Sequence, residues 1–184
     1  SKEIFYQRMR QYEAVVERLL ALLAALSYHD TGQNAYLLTR SIERLLSVPR
    51  HNGVQALLDL QYYPALLLTY ASGISALAAK RFHNLAAILL KPKYRDQTLR
   101  ETGPLLKKVG ELVLTLIREK ELVPRPNAAS EYTPLSNYLF DHLRPLLRDY
   151  LPDDAEYEET FDIFEYLLAL TYMDLVGDTW SPIG

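Results

Sequence analysis

FYQRMRQYEAVVERLLALLAAL, residues 5–26, carries large apolar side chains at Phe5, Met9, Tyr12, Val16, Leu19, Leu23 and Leu26. The steps alternate four and three, so these side chains form one stripe on a long helix, with Arg8, Glu13, Glu17 and Arg18 off the stripe. The stripe fits the core side of a bundle helix or a dimer seam. The core reading is preferred, because three heptads is the bare minimum for a coiled coil.

The remaining sequence shares this bias. Leucine and alanine number 36 and 17, against 15 isoleucines and valines together. Unbranched side chains keep their rotamers on a helix and β-branched ones do not, so the balance favours helix. Tyr28-His29-Asp30-Thr31-Gly32 breaks the first helix. A second follows near 33–47, with Ala35, Leu38, Ile42 and Leu45 on one face, and Pro49 stops it. Asn52-Gly53-Val54-Gln55 resembles a capping box opening a short helix to about Gln61.

Leu60 to Ala79 is a run of twenty residues without a charge, close to a spanning length. Its Gln61, Tyr62, Tyr63, Pro64, Thr69, Ser72, Gly73 and Ser75 suit a buried helix rather than a lipid-facing one. Pro64 starts that helix, and its small residues allow close approach of a neighbour. With the apolar helix after Arg81-Phe82-His83 it resembles a tetratricopeptide-type hairpin through Tyr70, Gly73, Ala76, Phe82 and Ala86, the aromatic plugging the turn. No second copy follows at a step of about 34 residues, so the chain is not read as a solenoid.

Residues 93–102 read as a basic loop with one helical turn. Gly103-Pro104 opens a helix with Leu105, Val109, Leu112 and Leu116 on its stripe. Residues 122–133 read as a Pro-rich linker. The next helix starts at Thr133-Pro134 and is kinked or split by Pro145 before Tyr150. Pro152-Asp153-Asp154 opens the last helix, striped by Tyr157, Phe161, Phe164 and Leu168 and ending near Gly177. The sum is an all-α bundle or array of about eight helices in a single domain, 1–184. Two lobes, 1–121 and 134–176, are the alternative.

With 184 residues the chain can build a core without staples, and it has no cysteine, which excludes disulfides and thiolate metal sites and suits a cytoplasmic protein. The net charge of −3 argues against bulk nucleic-acid affinity. The charge is unevenly spread. Lys80 to Lys108 holds eight basic and two acidic residues, and Asp149 onward holds ten acidic residues and no basic one. Such asymmetry fits an internal pairing face or a partner patch. Both ends of the chain read as cut points within a longer protein.

Candidate chemistry is thin. His29, His51, His83 and His142 form no Glu-x-x-His pair, so helical zinc and di-iron motifs are absent and no metal or cofactor is expected. Glu158, Asp162 and Glu165 share one helix face. Asp162 and Glu165 lie among aromatic residues, and a buried carboxylate needs a partner, so pairing with Arg144 and Arg148 is expected. Any partner or nucleic-acid surface is expected at Lys91, Lys93, Arg95, Arg100, Lys107 and Lys108, or on the acidic last helix.

Two resemblances add to this. Arg44 and His51 resemble the Arg-x4–6-His motif of the HEPN ribonucleases, an all-helical family in which that pair polarises phosphate and moves protons. Here Leu45 stands where a polar residue is expected, and Pro49 interrupts the helix between them. Thr133-Pro134-Leu135-Ser136, Leu151-Pro152-Asp153-Asp154 and the run from Phe161 to Leu170 resemble an uncharacterised bacterial helical region, as does Tyr63-Pro64-Ala65-Leu66-Leu67-Leu68. That region belongs to the C-terminal part of multidomain proteins whose N-terminal parts resemble defence-type effectors, Schlafen-like, SIR2-like or TIR-like. The resemblance implies a sensing, scaffolding or assembly module. The expected function is therefore a non-catalytic helical module that binds a protein partner or a neighbouring domain, or assembles with itself. The alternatives are a nucleic-acid-binding accessory domain and a HEPN-like ribonuclease.

Overall fold

A helix with no charge on any side can only be stable if other elements cover it all round. That requirement organises the computed structural model, which describes residues 2–46, 53–96, 101–177 and 179–182. The helices are α1 (Lys2–His29), α2 (Ala35–Leu45), α3 (Gln55–Asp59), α4 (Tyr63–Ala78), α5 (Phe82–Leu89), α6 (Leu105–Arg118), α7 (Pro134–Leu147) and α8 (Asp154–Val176). Every residue of α4 from Tyr63 to Ala76 is buried. Helices α1, α2, α5, α6, α7 and α8 all pack against it, with α1 the most extensive neighbour. Three hydroxyls of α4 are satisfied within the helix: Thr69, Ser72 and Ser75 donate to the carbonyls of Ala65, Leu68 and Ala71. Among the described residues no helix is long and apolar enough to cross a membrane.

The α1 stripe faces this centre. Phe5, Met9, Val16, Leu20 and Leu23 are buried, while Val15 and Leu22 on the other side are exposed. The end of α1 is clamped by the turn after α4. Asn84 is buried and donates to the carbonyls of Ser27 and Asp30 at 3.1 and 2.8 Å, and Arg81 Nε donates to that of Tyr28 at 3.2 Å. These bonds occupy carbonyls that a helix end would otherwise leave open. The buried apolar residues form one cluster running from Phe5 to Tyr172.

Several local features differ from the sequence reading. Phe82 is 63% exposed and does not plug the α4–α5 turn; Asn84 and Arg81 hold it instead. The close neighbour of Gly73 is a ring, for a Cβ there would lie 2.7 Å from Phe164 Cζ on α8. The N-cap of α3 is Val54, with no side-chain cap bond, and Asn52 lies outside the described residues. Helix α7 runs through Pro145 to Leu147 without splitting. Proline there removes only one bond close to the helix end.

The expected basic loop contains an antiparallel ribbon, β1 (Lys93–Asp96) paired with β2 (Glu101–Pro104), with Tyr94 opposite Gly103. Tyr94 is buried and Gly103 makes room for its ring, since a Cβ there would approach Tyr94 Cε1 to 2.8 Å. The expected linker is packed as well. A 3-10 turn at Lys120–Leu122 leads into it and another, Ala128–Ser130, lies within it, and Val123 and Ala128 belong to the core. Arg125 binds the carboxylates of Glu131 and Asp141, which ties the segment to α7.

Candidate functional site

Helix α2 turns Ala35, Leu38 and Ile42 inward. Helical geometry then puts Tyr36, Arg40 and Arg44, each four apart, on the outer face. In β1 the side chains alternate, so burying Tyr94 sends Lys93 and Arg95 to the opposite face. The Glu43 carboxylate accepts the backbone N–H of Lys93 at 3.1 Å and holds the ribbon beside α2. The two elements enclose a groove of about 410 Å³ lined by Tyr36, Leu37, Arg40, Ser41, Glu43, Arg44, Lys93 and Arg95. Four cationic side chains thus meet one carboxylate. Arg40 pairs with Glu43 only at 3.4 Å and remains largely exposed. Tyr36 and Leu37 are 61% and 40% exposed, so the rim is apolar as well as basic.

The expected basic surface therefore divides. Lys93 and Arg95 join the groove, where α2 adds Arg40 and Arg44. Lys91 is exposed but lies outside the lining, and Arg100 lies outside the described residues. Lys107 is half-buried and Lys108 is buried, and both are engaged within the chain. Lys107 binds Glu101 at 2.8 Å, and Lys108 is buried, bound to Glu111 and 5.0 Å from the centre of the Tyr94 ring. The Lys107–Glu101 pair and the contact of Lys108 with the Tyr94 ring tie the ribbon to α6, while the Lys108–Glu111 pair lies within α6. Burial, then the bond to Glu101, pushes the Tyr94 hydroxyl up to about 12, while the bond from Lys107 holds the Glu101 carboxyl below its ordinary value. Arg44 of the HEPN-like pair lies in the groove; His51 lies outside the described residues.

The expected pairing of Asp162 and Glu165 with Arg144 and Arg148 does not form. Arg144 instead donates to the carbonyls of Leu151 and Pro152 and to Asp154, and its guanidinium lies 4.8 Å from the Tyr157 ring centre. Arg148 and Asp162 are exposed. The reason is distance along the helix: Arg144 reaches the first turn of α8, and Glu165 lies eleven residues beyond Asp154, about 16 Å further.

Glu165 has other partners. Tyr70 and Ser136 each donate a hydroxyl to it at 2.8 Å. Burial raises its carboxyl above the ordinary value, and these two bonds partly oppose the rise. It opens onto a pocket of about 270 Å³ between α6, the start of α7 and the segment at Trp180. A second carboxylate, Glu13, receives the hydroxyls of Tyr63 and Tyr138 on one oxygen, each at 2.7 Å, beside a cleft that Glu17 and His142 also line. The described residues contain no group of three or more His, Asp or Glu side chains arranged to hold a metal ion.

Sequence reasoning missed Arg40, Tyr36 and Tyr70. The first two were legible as the outer face of α2, in step with Arg44. Tyr70 was not, since its contact with Glu165 spans 95 residues. No family model, no curated protein and no solved structure matches this chain.

Proposed function

We propose that the chain is a non-catalytic helical module that takes an acidic segment of a protein partner into the groove between α2 and β1. The observation that carries this reading is the convergence of Arg40, Arg44, Lys93 and Arg95, with Glu43 the one carboxylate among the described lining residues, beside exposed Tyr36 and Leu37. Arginine and tyrosine are enriched at protein interfaces, where a fork of donors and a rigid amphipathic ring give contact at little entropic cost. The guanidinium and ammonium groups in the groove are donors suited to binding carboxylates. The resemblance to helical regions of multidomain bacterial defence-type proteins supports a partner, or a neighbouring domain of the same parent chain, as the source of the segment. The cysteine-free composition suits the cytoplasm.

Nucleic acid is a weaker fit. The net charge is −3, and Tyr36 is the one aromatic side chain of the groove among the described residues, which gives no run of rings for successive bases. The test is fluorescence anisotropy with a labelled peptide of alternating glutamate and leucine, alongside a labelled single-stranded RNA. Peptide binding that weakens with salt and is lost in Arg44→Glu and Arg95→Glu is the expected result. Preference for the RNA would move the reading to the nucleic-acid alternative. Binding unaffected by both reversals would remove the groove from the account.

A further inference from the structure

The Glu165 pocket lies apart from the groove, and its chemistry is of the opposite sign. Its walls are Leu116 and Ile117 of α6 and Pro134 of α7; Tyr132 and Trp180 also line it. The two rings are 94% and 55% exposed, so both have a face available to a bound molecule. At the floor, the Glu165 carboxylate accepts one hydroxyl on each oxygen, from Tyr70 and Ser136. An ionised carboxylate has about four acceptor positions, so capacity remains on both oxygens. Among the described residues the lining holds one cationic side chain, Lys120, whose ammonium donates to the carbonyl of Glu131 at 2.6 Å. Among the described residues the Glu165 carboxylate is bonded to neutral hydroxyls and to no cation, and a partly buried carboxylate of this kind favours a directly bonded counter-charge.

We propose that this pocket binds a small organic ammonium on an apolar stem, with Glu165 as its counter-ion, Tyr70 and Ser136 fixing the carboxylate, and Trp180 and Tyr132 covering the charge. An N–H donor from an ammonium forms a charge-assisted bond, and the ring faces add cation–π attraction. The volume of about 270 Å³ suits a single ring with a short side chain; ordinary small-molecule pockets begin at roughly 300 Å³. The ammonium can come from a free amine or from a lysine side chain of another protein.

Trp180 is the only tryptophan of the chain, so its fluorescence reports this pocket alone. The intact chain is titrated with benzylamine, with neutral benzyl alcohol and with a blocked Gly-Lys-Gly peptide. Saturable change with benzylamine, weaker by about tenfold or more for benzyl alcohol, is expected for one charge-assisted contact. Glu165→Gln should lose the preference for the amine, since glutamine keeps the shape and the hydroxyl partners without the charge. Glu158→Gln, at an exposed carboxylate about two turns away on α8, should leave it unchanged. A blocked peptide that binds more tightly than benzylamine would assign the lysine side chain as the source. Equal response to amine and alcohol in the wild-type chain overturns the proposal, whether or not Glu165→Gln folds.

Discussion

Glu165 shows how far residue-level reading reaches. Its place among Phe161, Ile163, Phe164 and Tyr166 marks it for partial burial, and the structure shows it partly buried. Its partners could not be read, because local spacing offers nearby arginines whereas the actual donors lie 29 and 95 residues away. The consequence is a pH effect with a definite sign. Burial raises the folded carboxyl above its unfolded value, and Asp162 adds to the rise. The folded state therefore favours the proton: this contribution to stability is full below the ordinary carboxyl range and is lost as pH rises through the raised value. Urea titrations of wild type and Glu165→Gln across the acid-to-neutral range should show wild type losing stability relative to the variant as pH rises. A difference that stays constant, or reverses, would mean the carboxylate is as comfortable folded as unfolded.

At the scale of elements, proline and the helical stripes were sufficient to place most helices. The start of α4, the stripe of α6 and the Asp153 cap of α8, which accepts from Glu156 N–H, all follow from local chemistry. The ribbon was not legible. Its strands are four residues each, with Tyr94 the one buried apolar side chain, too short for alternation to stand out from a polar loop. The packing of α4 on α8 was half legible: Gly73 marks a close approach, but nothing local names Phe164. Gly73→Ala sets two effects against each other. Alanine gains about 1 kcal/mol in helix propensity. Its methyl must displace the Phe164 ring, and overpacking of a filled core costs about 1–3 kcal/mol. The ring is large and fully buried, so net destabilisation of about 1–2 kcal/mol is expected in urea unfolding. Stabilisation by alanine would show that the ring yields freely.

For the whole molecule, charge is arranged around a neutral centre. Helix α4 carries none, the groove gathers cations, and α8 carries exposed Glu158, Glu159, Asp162 and Asp174 outward. The sequence revealed the imbalance but not its geometry, because Lys108 turns inward and Lys107 pairs with Glu101, while Arg40, from a different helix, joins β1 at the groove. The sharpest test of the groove is a map of backbone amide shifts as the unlabelled glutamate–leucine peptide is added to isotopically labelled protein. The account places the perturbed amides in α2 from Tyr36 to Arg44 and in β1 from Lys93 to Arg95. Perturbations that leave both segments untouched, or gather on α8, would contradict it.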